Sequence, residues 1–400
     1  MAGGSVSPVP DSEMRGARVP RTGPSRRRRA RVIALAALLL IGLGTAGSAE
    51  GSSRSKALRV NKAKAKAGAT VVLPVVTATT LAPKPQLGDP AGWVPTTFQA
   101  TLEQWLSAQP GIGSVAVAIA GTGQEWIGDA TRSPNGAAFH APDRYPALSI
   151  TKTFTASLVL RAAAAGRLAL DAAPPEIVGL RPPQMSVTIR QLLTHTSGLP
   201  DYTESPNYRA GTTLLPIEAV ALATDLPQLS QPGTTVHYAN ANYLYLQLVL
   251  EQVNARPYDA TIADLAAEVG LPETALEPPD HNGWAAGGSG GIRSTVGELA
   301  RWGSALFTPG RVLSAQDEAL LASVDDRGVG IGTWPICPCW SDPQGFHRYT
   351  AIGHHIASGG MWYFPATGLT VAIRIDPSST VAAGLAAELG GRMSGLFRRR

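Results

Sequence analysis

Ser149-Ile150-Thr151-Lys152 places a hydroxyl and an amine three positions apart. On a helix, positions i and i+3 share a face, so Lys152 can bring its amine beside the Ser149 hydroxyl. A serine hydroxyl is a weak nucleophile until a neighbouring base takes its proton. Lysine can be that base when a desolvated site lowers its pKa. The first turn of a helix adds free backbone N–H groups, which favour developing negative charge. By spacing alone S-x-x-K is common on solvated surface helices. The cation usage of this chain speaks against that reading. From Gln86 to the C-terminus there are eighteen arginines and a single lysine, Lys152. Arginine cannot be deprotonated in a protein, so it cannot replace lysine as a base.

The elements that must position these two residues follow from periodicity. Ser149 to Leu170 reads as a long apolar helix, stopped around Gly166. Thr97 to Ala108 has helical spacing, with Phe98, Leu102 and Trp105/Leu106 on one face. Ser114–Gly121 and the segment around Trp126 read as strands joined by Gly121-Thr122-Gly123. Met361–Phe364 and Leu369–Ile375 flank Pro365-Ala366-Thr367-Gly368, a hairpin signal, and Val381 to Phe397 reads as a closing helix. Strands at both ends with helices between predict an α+β domain whose sheet unites the termini.

Several blocks taken in order resemble the penicillin-recognising serine hydrolases, in particular their class C β-lactamase and D-alanyl-D-alanine carboxypeptidase branch. They are ALSITKTFTASLVLRAAAAGRLALD (147–171), VTIRQLLTHTSGLPDY (187–202), PGTTVHYANANYLYLQLVLEQV (232–253), GGIRSTVGELARWGSAL (290–306), GVGIGTW (328–334) and IGHHIASGGMWYFP (352–365). The resemblance spans roughly Thr97 to Phe397 and implies a β-lactamase/transpeptidase-like α+β fold, with an antiparallel sheet flanked by helices and a mostly helical insert. It implies Ser149 as the acylated nucleophile, Lys152 as its proton acceptor and Tyr238 as the group that passes protons to the leaving group and later activates water. Asn240 would contact the substrate amide. His354 aligns with the first position of the family's K/H-T-G strand, and the oxyanion hole would be the N–H groups of Ser149 and Ala357. His195 falls in a block that is structural in the family.

One departure stands out. Where the strand motif calls for Thr or Ser and then Gly, this chain has His355 and Ile356. A glycine there lets substrate lie close to the strand, whereas a β-branched residue narrows the groove. The missing hydroxyl also removes a partner for a substrate carboxylate. The expected activity is hydrolysis of an amide or ester through an acyl-enzyme, carboxypeptidase-like first, with β-lactamase and esterase as the other options. A binding or sensing module for wall peptides or penicillins, without turnover, is the alternative. Either takes a small-molecule or peptide ligand.

Other chemistries are poorly served. Gly287-Gly288-Ser289-Gly290-Gly291 spells G-x-S-x-G, but a loop sequence precedes it where a nucleophile elbow needs a buried strand. Cys337-Pro338-Cys339 with His347, His354 or His355 has poor zinc spacing and reads as either a tight disulfide or two thiols. No Walker loop or dinucleotide fingerprint occurs, so nothing calls for a cofactor.

The net charge of +5 is unevenly placed. Residues 1–67 hold 14 basic and 3 acidic side chains; the remainder holds 20 and 26. The basicity belongs to the leader, and a nucleic-acid partner for the folded part is excluded on this ground. Arg26 to Arg29 and Arg31 precede the apolar run Val32–Leu43 and a small-residue zone ending at Ala49. That is the pattern of a signal peptide, or of an uncleaved anchor in the cell membrane. Residues 1–49 are thus read as leader, 50–92 as a disordered Ala/Lys/Thr/Pro-rich linker and 93–400 as the domain, which would be secreted or membrane-anchored outside the cytoplasm.

Overall fold

The computed structural model describes residues 94–132, 139–278, 287–323, 329–336, 351–356, 358–365, 367–376, 389–393 and 396. The leader, the linker, Cys337, Cys339, His347 and Ala357 lie outside the described residues.

The strands in chain order are β1 (Ser114–Gly121), β2 (Gln124–Thr131), β3 (Tyr145–Pro146), β4 (Ala275–Leu276), β5 (Ile292–Ser294), β6 (Trp334–Ile336), β7 (Ala351–Ile356), β8 (Gly359–Phe364) and β9 (Leu369–Asp376). Six form an antiparallel sheet in the order β2-β1-β9-β8-β7-β6. The sheet therefore joins the two ends of the domain by pairing β1 with β9, as the sequence predicts for an α+β chain. The β1–β2 hairpin at Gly121–Gly123 and the antiparallel pairing of β8 with β9 also form as expected. The small sheet β3-β5-β4 has no counterpart in the sequence reading, because strands of two or three residues leave no periodic signal.

Alternation along β1 builds two cores. Val115, Val117 and Ile119 face an apolar cluster with Phe98, Leu102 and Trp105 of the helix Pro95–Ser107, while Ala116, Ala118 and Ala120 face the main core. The small residues on the second face admit the helix Val296–Leu306 at short range: a side chain at Gly303 would fall 2.6 Å from Thr370 Cγ2. Trp302 of that helix stacks on Phe154 at 3.8 Å between centroids, and its Nε1 donates to Thr153 Oγ1. Phe154 belongs to the helix Thr151–Ala164, which is buried on nearly every side. Its interior hydroxyls are all paired: Thr153 donates to Ile150 O, Thr155 to Gly288 O and Ser157 to Phe154 O.

This helix stops where the sequence places its end, around Gly166, and differs from expectation at its start. It stops at Ala164, with Gly166 in the left-handed region, and it is preceded by a 3₁₀ turn, Leu148–Ile150, that carries Ser149. Of the expected closing helix, residues 389–393 are described and are helical, with Leu389 and Met393 in the first apolar cluster.

β7 runs beside the Ser149 turn, so its fit against β8 sets one wall of the region around that serine. The fit leaves no room at Gly353, where a Cβ would fall 2.0 Å from Met361 O on β8. We expect Gly353→Ala to lower unfolding free energy by about 3 kcal/mol or more in urea titrations. Gly111→Ala, with nothing within 4 Å of the added carbon, should stay within about 0.5 kcal/mol of wild type. Equal midpoints for the two variants would refute this account of the strand pairing.

Candidate active site

The turn that carries Ser149 is held in an uncommon backbone conformation. Leu148 has φ of +46°, a region that costs a non-glycine residue about 1–3 kcal/mol. Backbone bonds on both sides secure it: Ala147 N–H donates to Ile292 O, and Ile292 N–H donates to Thr151 Oγ1. Gly290 lies against the Leu148 backbone, where an added Cβ would sit 3.6 Å from its carbonyl carbon. Ser149 is consequently fixed at a helical start, where backbone N–H groups lack intrahelical partners.

Lys152 is fully buried. Its Nζ lies 3.1 Å from Ser149 Oγ, 2.9 Å from Asn240 Oδ1 and 2.7 Å from Ser289 O. The protonated amine donates to all three. Burial pulls its pKa down to about 7, and the Asp201 carboxylate acts in the other direction. After losing a proton, the amine accepts the Ser149 O–H and keeps two donors for Asn240 and Ser289. This is a base poised near neutrality and hydrogen-bonded to a hydroxyl.

Tyr238 completes the group from the other side. Its hydroxyl is 2.6 Å from Ser149 Oγ, and its ring lies 4.9 Å from Lys152 Nζ. Burial pushes the phenol up to about 12, with Asp201 adding to the rise and the Ser149 bond opposing it. The two titratable partners of Ser149 are thus driven apart: lysine toward the neutral amine, tyrosine toward the protonated phenol. The serine proton has Lys152 as its acceptor, and Tyr238 can donate to Ser149 Oγ or to a leaving group. The residue as a whole is 38% exposed, while its hydroxyl is turned inward to Ser149.

Asn240 starts the helix Asn240–Asn254. With its Oδ1 accepting from Lys152, its NH₂ is the end that can donate to a substrate carbonyl. Its backbone N–H donates to Asp201 Oδ2, a buried carboxylate that also accepts from Thr203 N–H and Oγ1. His354, on β7, is buried, with its ring centroid 6.4 Å from that of Tyr238 in an edge arrangement. Ile356 is buried as part of the main core. Ala357, the expected second oxyanion donor, is outside the described residues, as is the His355 side chain.

The structure therefore links Tyr238, Ser149, Lys152 and Asn240 in one chain of hydrogen bonds, with His354 nearby. Sequence reasoning missed two members of the group. The Ser289 carbonyl comes from the glycine cluster that spells G-x-S-x-G; here residues 287–290 form one helical turn with Ser289 buried, and its backbone carbonyl meets Lys152. Asp201 was legible only as a cap, since Asp201-x-x-Glu204 has capping-box spacing and forms one. Among the described residues no cluster of three His, Cys, Asp or Glu side chains could hold a metal ion.

A protein-family model described as Beta-lactamase matches residues 99–385. Penicillin-binding protein 4 of Amycolatopsis lactamdurans is 25% identical over 315 residues, which is 68% of this chain and 79% of that protein. Among solved structures, a D-stereospecific amidohydrolase from Streptomyces sp. superposes with a TM-score of 0.59 at 22% identity, over 74% of this chain and 98% of its own. A D-amino acid amidase from Ochrobactrum anthropi SV3 gives 0.63 at 18% identity, over 75% and 97%. These similarities show the β-lactamase/transpeptidase-like fold.

The charge balance at Lys152 has a measurable consequence. A protonated Lys152 cannot take the Ser149 proton, so acylation rate should rise with pH through about 7. Removing the Asp201 charge withdraws the influence that favours the ammonium. The acid limb of Asp201→Asn should then lie at lower pH than in wild type. A limb that stays in place or moves upward would contradict this electrostatic account.

Proposed function

The chain belongs to the beta-lactamase family of serine hydrolases, and we propose that it is an exported enzyme working through a Ser149 acyl-enzyme. The observation that carries the proposal is the buried Lys152 amine 3.1 Å from Ser149 Oγ, with the Tyr238 hydroxyl 2.6 Å away on the other side. In the first half-reaction Ser149 Oγ attacks an amide or ester carbonyl and gives its proton to Lys152. Tyr238 donates to the departing amine or alkoxide, and Asn240 holds the substrate amide. In the second, water enters where the leaving group stood and gives a proton to the deprotonated Tyr238 as it attacks the acyl carbon; the Ser149–acyl bond breaks, Ser149 Oγ regains its proton from Lys152, and the acid is released. Ser149 N–H, with Ala357 N–H as the expected partner, would stabilise the oxyanion in both steps.

For substrate, a D-alanyl-D-alanine carboxypeptidase-like activity comes first. Histidine at position 354 resembles that branch, and a penicillin-binding protein is among the similar proteins. β-Lactamase and esterase activities are the other members of the proposed range. Export rests on the arginine-rich, apolar and small-residue pattern of residues 26–49, which would place the enzyme outside the cytoplasm, free or membrane-anchored.

A second reading draws on Ile356, which fills space where the family motif has glycine. On that reading the pocket binds wall peptides or penicillins without turnover. Incubation with a fluorescent penicillin and a fluorophosphonate, followed by intact mass over time, separates the two. We expect a Ser149 adduct that decays with product release, and none on Ser149→Ala. A stable penicillin adduct would favour the sensor, and no adduct with either probe would remove the nucleophile assignment. Ile356→Gly combined with His355→Thr should raise the penicillin acylation rate about tenfold, in line with the free-energy cost of one misfitting apolar group. An unchanged or lower rate would show that these two positions do not limit access.

A further inference from the structure

We propose that His195 is a positioning residue for Tyr238, acting as a clip that fixes the backbone on both sides of the tyrosine and braces its ring. The proposal rests on the hydrolase reading only in that it assigns Tyr238 a purpose; the clip itself is a matter of geometry.

His195 follows the helix Ile189–Leu193 and closes it with a Schellman arrangement. Thr196 N–H donates to Gln191 O, and His195 N–H donates to Leu192 O. That motif needs a left-handed residue, which is usually glycine. Here φ is +54° and the residue is a buried histidine. The helix end alone would be better served by glycine, so the side chain has to be accounted for by what it touches.

Both neighbours of Tyr238 bond to this one residue. His237 N–H donates to His195 O at 2.8 Å, and Ala239 N–H donates to His195 Nδ1 at 3.2 Å. The imidazole stacks on the Tyr238 ring with centroids 4.5 Å apart and planes 25° from parallel. Asn242 sets the tautomer. Its Oδ1 accepts from Ser197 Oγ at 2.6 Å, so its NH₂ is the end that meets Nδ1 at 3.1 Å. Nδ1 is thereby an acceptor, and the ring proton sits on Nε2. Burial holds the imidazole well below its ordinary pKa, and the nearby Lys152 charge adds to this, so the ring stays neutral where Lys152 titrates. It does not compete for the serine proton. What it contributes is the place of the Tyr238 hydroxyl, 2.6 Å from Ser149 Oγ, where a displacement of about 1 Å costs on the order of 100-fold in rate.

Three variants separate the parts. His195→Asn tolerates the left-handed backbone and offers an oxygen near the Nδ1 position but has no ring. His195→Phe keeps a ring face and loses the acceptor. His195→Ala loses both. We expect kcat with a chromogenic ester to fall on the order of 10- to 100-fold in the Ala and Phe variants. KM should change less than twofold, and Asn should recover most of the loss. The Tyr238 aromatic ¹³C–¹H signals, assigned with Tyr238→Phe, should move in all three and broaden most in Ala. Rates that fall only in step with the urea midpoint, a Phe variant faster than Asn, or unmoved Tyr238 signals would each overturn the clip. Should wild type show no turnover or labelling, the hydrolase reading fails, and the Tyr238 signals still decide whether His195 holds the ring.

Discussion

An ammonium ion removed entirely from water is costly, by several kcal/mol even after the surroundings relax. That constraint organises the molecule around Lys152. The amine is kept at the edge of ionisation by burial and is held by acceptors from three separate stretches of chain: Ser149, Asn240 and Ser289. Each stretch has to arrive with the correct atom forward. The Gly287–Gly290 turn carries the carbonyl that reaches the amine, and Gly290 lies beside the Leu148 backbone. The helix Asn240–Asn254 brings its first residue, and a buried carboxylate secures that residue's N–H. The helix Thr151–Ala164 supplies the lysine and is packed on nearly all sides, which keeps the amine out of water.

The local strain of the site is concentrated beside the reacting atoms. Among the described residues, two of the four non-glycine residues with positive φ are Leu148 and His195, one preceding Ser149 and the other stacked on Tyr238. Each costs on the order of 1–3 kcal/mol and persists because its neighbours over-determine it. Leu148 is tied through Ala147 and Thr151 to Ile292, and His195 is tied to Leu192, His237 and Ala239. Such bonding leaves little freedom to relax, and the same bonds that impose the strain also set the distances among Ser149, Lys152 and Tyr238.

How much of this could be read in advance depended on whether the signal was local. The S-x-x-K spacing, the single lysine beyond residue 85 and the alternation in SVAVAIAG are written within a few residues, and each reappears in the structure. The joining of β1 to β9 followed from strands placed at both ends of the domain. What stayed hidden depends on contacts between distant segments. Asp201 looks like a helix cap, and it is one, but its second oxygen reaches a residue 39 positions on. Ser289 offers a carbonyl, an atom every residue has, so no residue type could flag it. His195 is a buried ring in a helix-ending turn, and only the placement of residues 237–239 against it distinguishes a clip from ordinary packing.

The strand motif supplies no hydrogen-bond partner to Lys152, which bears on how the unusual His355-Ile356 pair is weighed. None of the three acceptors of Lys152 belongs to β7. The lysine pKa is set by burial and by Asp201, again without β7, and the Tyr238 phenol is raised by burial and Asp201. A substitution at 355 or 356 therefore removes none of the hydrogen bonds to Lys152, and β7 meets the acid–base pair through packing, with the His354 ring 6.4 Å from that of Tyr238. Loss of the family's Thr-Gly at positions 355 and 356 bears on which acyl group fits and says little about whether Ser149 can be deprotonated. The reverse also holds: a change at Asp201 or Asn240 would disturb proton transfer for every substrate alike. The hydrogen bonds that join the S-x-x-K and Y-x-N groups run outside β7, so these groups can stay in register while that strand varies.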